Sequence, residues 1–421
     1  MFKSLKGMPD VLPTDVARWH EMEARLKVLL HSYGYYEIRT PLLEETELFA
    51  RSIGQATDVV EKEMFSFVDK GGDSIALRPE VTASVVRAYL EHHLGHGNPL
   101  AKLYNMGPMF RHENPQKGRL RQFSQIDVEA LGSNHPFVDV EVIVLLQKIC
   151  DLFKLSEPKL QINSVGDLNC RPTYREKLRS FLQTKASQLC ENCMRRKDLN
   201  PLRVFDCKVE SCQQALSDAP LLLEHLCNPC KEHFEQVKQG LKDVKIPFEV
   251  NSKIIRGLDY YTRTAFEITG YGLGSQNAVG GGGRYDGLVE ELGGNHTPAI
   301  GFAVGLERLL LASHLSCVLP SPRFEFVSLE AKAEPIVMNL AIQFREVMME
   351  KKVAVIAETN FGVASLKSAL RHADKNQTQF VIVIGQQELD KKVATVKNLK
   401  EHIQEEIPWD HLASELLKRV S

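Results

Sequence analysis

Residues 101–131 alternate in a way that leaves few folds open to the chain. The runs AKLYNMGPMF and RQFSQIDVEALG are rich in strand formers, and the charged, turn-prone RHENPQKGRL separates them. This pattern predicts a long hairpin with a basic loop. Alternation along its second strand puts Gln125, Asp127 and Glu129 on one face.

The flanking sequence supplies the rest of a large α+β core. Between residues 14 and 32, Val16, Trp19, Met22, Leu26 and Leu29 recur at helical spacing behind Thr14 and Asp15, which can cap a helix start. Gly34 breaks that helix, Tyr36 to Arg39 suits a strand, and Pro41 disfavours helical geometry in Thr40. Residues 160–320 mix helical stretches with FEVNSKIIRGLDYYTRTAFEI and NAVGGGGRYDGL, and close with AIGFAVGLERLLLASHL, a strand entering a helix. After VLPSPR, a helix (Ala333 to Lys351), the strand VAVIAE, the helix SLKSALRHAD, the strands FVIVIG and KVATVKNL, and the helix DHLASELLKRV read as a separate α/β domain. The expected organisation is a core at 1–321, interrupted by an insertion at about 170–245, followed by a domain at 322–421. A length of 421 residues accommodates this.

Bulk properties exclude several classes. With 43% hydrophobic and 25% charged residues, and no apolar run near the roughly 18 needed for a span, no membrane protein is expected. The segment MFKSLKGMPDVLP has neither an apolar core nor a small-residue cleavage site, so the expected location is the cytoplasm. A net charge of -2 argues against a histone-like basic protein but permits a nucleic-acid ligand held by local basic patches. Nine cysteines, an odd number, favour reduced thiols or a metal site over a disulfide framework.

Several segments carry chemistry. FRHENPQKGRLRQFSQIDVEALG holds Arg111, Glu113, Lys117, Arg119, Gln125 and Glu129. The planar donor fork of Arg111 suits a phosphate or carboxylate, and Phe123 can stack on a base, although a solvated hairpin would look the same. Arg256 and Asp259 lie beside Tyr260 and Tyr261 in an apolar context, where an internal salt bridge competes with a ligand site. The glycines from Gly280 to Gly283 permit close approach of a ligand, or equally a bulge or a sheet crossing. In GFAVGLERLLL, Arg308 needs either a ligand anion or an internal carboxylate.

Together these segments resemble the class II aminoacyl-tRNA synthetases over essentially the whole chain. The first helix with TPLLEETELF is similar to the first motif of that class, FRHE with RQFSQ to the second, and GFAVGLERLLL to the third. RGLDYYTRTAFEI and GGGRYDGL resemble the two signature peptides of the histidyl-tRNA synthetase family, supported by LRPEVTASVVRAY and KGMPDVLP. The implied fold is a mixed, mainly antiparallel sheet with helices, followed by an α/β anticodon-binding domain. The implied activity joins L-histidine to tRNA(His) through a histidyl-adenylate made from ATP, with magnesium on the outer phosphates.

By the same resemblance Arg111 grips the α-phosphate, Glu113 the adenine amino group, Phe123 the adenine ring and Arg308 the far phosphates, while Arg256 sits near the α-phosphate. Glu129 and Tyr261 face the imidazole, next to Tyr260. Glu80, Thr82 and Gln125 hold the α-amino group, and Lys117 and Arg119 meet the tRNA acceptor end. A homodimer is implied as well. Lys367, Arg371 and Lys375 share one predicted helix, as a phosphate-binding face or an ordinary solvated one.

Two features lie outside this pattern. Cys190, Cys193, Cys227 and Cys230 form two CxxC pairs with Cys207 and Cys212 between them, and the spacing suits either a structural zinc site on those four or reduced thiols. The histidine-sensing regulatory subunit of ATP phosphoribosyltransferase also resembles the core, but such paralogues usually lack the terminal domain and degrade the histidine peptides.

Overall fold

The computed structural model of the chain describes residues 2–54, 57–270, 277–313, 322–363 and 365–420. The hairpin forms as expected: Ala101–Phe110 pairs antiparallel with Gln122–Leu131, from Ala101 opposite Leu131 to Phe110 opposite Gln122. At its tip Gln116 and Arg119 exchange backbone hydrogen bonds across a turn in which Gly118 has φ +72°. That left-handed conformation favours glycine.

Residues 1–317 form one unit, in which this hairpin belongs to an eight-stranded sheet. The strand order is Tyr36–Glu37, Ala101–Phe110, Gln122–Leu131, Ala299–Gly305, Ala278–Arg284, Thr262–Thr269, Lys159–Ser164 and Glu249–Val250. The inner pairings are antiparallel and only the two edge strands pair parallel, the mixed and mainly antiparallel sheet expected.

The two faces of this sheet differ. Ile126, Val128 and Ala130 of the second hairpin strand, with Ile300, Phe302 and Val304 of its neighbour, join the main core together with Val142, Ile143, Leu146 and Ile149 of the helix Pro136–Leu152. Their alternates are Gln125, Asp127 and Glu129 on one strand and Gly301, Ala303 and Gly305 on the next. A run of residues with almost no side chain beside a row of polar ones leaves a trough. The helix Pro13–Ser32 buries Met22, Leu26 and Leu30, a stripe one position away from the expected Leu29. The first strand stops at Glu37 rather than Arg39, although the Ile38 amide still donates to the Tyr104 carbonyl.

The insertion is helical, with Arg171–Thr184, Glu191–Leu199, Glu210–Ala215 and Asn228–Asp243. Here one expectation is corrected. Cys190, Cys193, Cys227 and Cys230 do not form one ligand set: Cys190 and Cys193 group with Cys207 and Cys212, whereas Cys227 and Cys230 group with Cys170 and Asp167. The reason is local. Cys190 and Cys227 each occupy the residue before a helix, so each CxxC turns its two sulfurs toward its own helix start. The partners are whatever the intervening chain delivers there, which pair spacing does not encode.

Residues 318–421 form the second unit. Its five-stranded sheet runs Ile356–Asn360, Arg323–Ser328, Phe380–Ile384, Val393–Asn398 and Ile403–Pro408, the first three mutually parallel and the last two added antiparallel. Phe324, Phe326, Phe380 and Ile382 pack on the helices Glu334–Glu350 and Trp409–Leu417, while Val327, Val381 and Val383 meet Ala369 and Ala373 of the helix Leu366–Lys375. Lys367, Arg371 and Lys375 are exposed on the opposite side of that last helix.

Candidate functional site

A cavity of about 250 Å³ opens on the polar face of the large sheet. It is lined by Glu80, Thr82, Arg111, Glu113, Arg119, Phe123, Gln125, Glu129, Arg256, Tyr260, Tyr261 and Arg308, twelve of the thirteen residues the sequence singles out as reactive or substrate-binding. Lys117 is exposed and is not among the lining residues.

The inner end of the cavity holds buried carboxyls. Glu80 accepts hydrogen bonds from the backbone amides of Thr82 (2.8 Å) and Ala83 (3.0 Å), satisfying orphan donors at the start of the helix Thr82–Glu91. Thr82 Oγ1 donates to Glu129 Oε1 at 2.7 Å, and the Tyr285 hydroxyl donates to Glu129 Oε2. Burial pushes Glu129 up to about 8 and Asp127 well above the carboxylate range, and it raises Glu80 as well. The buried atoms Gln125 Oε1 and Asp127 Oδ2 have no hydrogen-bond partner among the described residues. Such an assembly is destabilising in itself and is matched by a ligand that brings positive charge and N–H donors.

Glycines make room for it. A Cβ on Gly301 would fall 1.8 Å from Glu129 Oε2 and 2.5 Å from the Val128 carbonyl. A Cβ on Gly281 would fall 2.8 Å from Arg256 Nη1 and 2.7 Å from the Phe266 carbonyl. The glycine run is therefore a strand, Ala278–Arg284, that lies close to its neighbours while leaving the cavity open.

Cations line the outer end. Arg111 donates through Nε to the Pro79 carbonyl at 2.8 Å, and its guanidinium stands 5.4 Å from the centre of the Phe123 ring. Arg308 Nε donates to the Ala278 carbonyl (2.7 Å) and Nη1 to that of Gly118 (3.2 Å); burial lowers its affinity for its proton, and Arg119 adds to the effect. Arg119 Nη1 meets Glu113 Oε2 at 2.7 Å. Arg256 pairs with Glu267 at 2.7 Å, not with Asp259, which is held by Arg203 (3.4 Å) and Asn200 (2.9 Å) of the insertion. Glu307 accepts the Ser124 amide at 2.8 Å and burial pushes it up to about 6, so it ties the third motif to the second.

Three residues of this site were not anticipated as functional. Asp127 shares a strand face with Gln125 and Glu129, Tyr285 lies inside the GGGRYDGL peptide, and Gly301 has no sequence signal of its own.

A trough on an antiparallel sheet with carboxyls inside and guanidinium groups outside defines a class II aminoacyl-tRNA synthetase core. Comparison with known proteins narrows it: the histidyl-tRNA synthetase family profile matches residues 7–309, and that of an anticodon binding domain matches residues 334–419. The histidine–tRNA ligase of Geobacter metallireducens is 46% identical over 415 residues, covering 98% of each chain. The apo structure of Staphylococcus aureus histidyl-tRNA synthetase superposes with a TM-score of 0.80 at 36% identity, covering 99% of each chain. A structure titled as an ATP phosphoribosyltransferase regulatory subunit/histidyl-tRNA synthetase from Bacillus halodurans shares the fold, with a TM-score of 0.65 at 20% identity. The chain belongs to the histidyl-tRNA synthetase family.

Proposed function

We propose that this chain attaches L-histidine to tRNA(His), first forming histidyl-adenylate from ATP and then transferring the histidyl group to the tRNA 3′ end. The observation that carries the specificity is the buried row Gln125, Asp127 and Glu129, with acceptor atoms that have no partner among the described residues, next to Thr82 and Tyr285. Histidine supplies an α-ammonium and an imidazole that presents one donor and one acceptor. Glu129 and Tyr261 take the ring, with Tyr260 packed on Tyr261 at 4.7 Å between ring centres, and Glu80, Thr82 and Gln125 take the amino group.

ATP lies toward the guanidinium groups, with Phe123 against adenine, Glu113 on its amino group, Arg111 and Arg256 at the α-phosphate and Arg308 at the outer phosphates. Magnesium arrives on ATP as part of that substrate. As the histidine carboxylate attacks, negative charge grows on the α-phosphate. Fixed cations stabilise it without reorganising, so no nucleophilic side chain is required. The Arg119–Glu113 pair must open or shift for both groups to serve the nucleotide and the acceptor end. Lys117 and Arg119 then meet the acceptor stem of the tRNA.

On this reading residues 1–321, with the insertion at about 170–245, are the catalytic domain and residues 322–421 bind the anticodon. The working form is a cytoplasmic homodimer. Among the described residues no helix is long and apolar enough to cross a membrane. The test is charging of tRNA(His) transcripts with labelled histidine: ATP-dependent incorporation is expected, and none with active tRNA overturns the proposal. The alternative reading, a histidine-sensing regulatory paralogue, predicts histidine binding without incorporation.

A further inference from the structure

We infer that the cysteine-rich insertion is built around two separate structural zinc ions, one held by Cys190, Cys193, Cys207 and Cys212 and the other by Asp167, Cys170, Cys227 and Cys230. In each set the four candidate ligand atoms lie within 4.8 Å of one another. None of the eight described cysteines is in a disulfide, and seven of them fall into these two sets. Unrelated thiols in a helical subdomain have no reason to converge in this way.

The distances suit the metal. A tetrahedron with zinc–sulfur bonds of about 2.3 Å has edges of about 3.8 Å. Cys190 Sγ and Cys207 Sγ are 3.8 Å apart. In the second set Cys170 Sγ and Cys227 Sγ are 3.4 Å apart, with Asp167 Oδ1 at 3.2 Å from the first and 3.8 Å from the second. Soft thiolates in tetrahedral array select zinc or iron–sulfur chemistry, and a carboxylate in the second set favours zinc.

The surroundings fit thiolates rather than thiols. Binding releases the thiol protons to solvent, and a divalent ion among four such ligands leaves two negative charges. Backbone amides point at the sulfurs: Cys190 N lies 3.1 Å from Cys212 Sγ, Val209 N 3.5 Å from Cys207 Sγ, and Cys227 N 3.3 Å from Cys170 Sγ. Arg263 approaches Asp167 at 4.0 Å.

The subdomain also needs such ties. Its apolar cluster is small and already counts Cys193, Cys207 and Cys212 among its buried members, a situation in which a metal commonly replaces a larger core. The first set closes the segment containing Asn200 and Arg203, which hold Asp259 behind the cavity.

The test is metal analysis of the full-length protein, expressed with added zinc and purified under reducing conditions without chelator. Two equivalents of zinc per chain are expected. Cys193→Ser and Cys230→Ser should each retain one, and Cys150→Ala, which alters a core thiol outside both sets, should retain two. Zinc below about a tenth of an equivalent in the parent protein, or iron in its place, overturns the proposal. An unchanged two equivalents in either serine variant overturns that set. If a serine variant fails to fold, the parent protein reloaded with cobalt decides: tetrahedral d–d bands with thiolate charge-transfer absorption are expected, and a weak octahedral spectrum overturns the assignment.

Discussion

The inner and outer ends of the cavity are built on opposite plans. The inner end uses strand residues whose side chains are buried and mutually fixed, as Thr82, Glu129 and Tyr285 are. The outer end uses long cationic side chains, three of which are anchored on backbone carbonyls or a carboxylate beside the hairpin loop. The first plan gives selectivity, because any ligand that fails to match strands buried polar groups. The second gives charge stabilisation that tolerates movement, as a phosphate chain exchanging during reaction requires.

The contrast is sharpest at Glu129. Glu129→Ala should lower histidine-dependent adenylate formation by about 10³-fold or more, since it removes one polar group and strands two others. Near-parent rates in a pyrophosphate-exchange assay would erase the distinction between the two ends. Arg308→Ala should cost about 10²–10³-fold, with histidine binding by calorimetry unchanged. A matching loss of histidine affinity would show that the ends are not separable.

Gly301→Ala tests whether the glycine side of the trough serves the carboxyl row. Its Cβ would collide with Glu129 and with backbone, so histidine affinity should fall and stability should drop by about 1–3 kcal/mol. A variant with parent-like melting and binding would contradict that geometry.

A smaller effect concerns pH. Because the folded-state value of Glu129 is raised to about 8, the folded chain keeps a proton that the unfolded chain loses near the ordinary carboxylate range. Its contribution is fully present below that range and is lost as pH rises toward about 8. Glu129→Gln cannot ionise, so its stability should decline less steeply between about pH 5 and pH 8, and denaturation midpoints across that window measure it. Parallel declines would show that Glu129 is not proton-linked. The smallest effect is expected for Lys117→Ala, which lies outside the cavity: pyrophosphate exchange unaltered, tRNA charging reduced a few-fold and more so as salt rises. A loss in exchange would place Lys117 in the nucleotide site.

The same contrast explains what the sequence made legible. Alternation in SQIDVEALG placed Gln125 and Glu129 on one face, and the hairpin followed from strand formers flanking a polar loop. Those are local signals. The role of Gly301 depends on a neighbouring strand, and the pairings Arg256–Glu267 and Asp259–Arg203 depend on how distant segments meet. Cysteine spacing likewise located both CxxC pairs but not their partners, and Cys170, 57 residues before Cys227, carries no spacing signal at all. In the second unit the strands Arg323–Ser328 and Ile403–Pro408 were not recognised. The latter is an edge strand with five exposed residues, where hydrophobic alternation is faint.

The most direct test of the account is pyrophosphate exchange into ATP, run without tRNA and with each standard amino acid in turn. Exchange with histidine alone is predicted, since the carboxyl row and the guanidinium groups would then be acting on one substrate pair. Measurable histidine binding with no exchange would contradict it and would leave a sensor built on a synthetase fold.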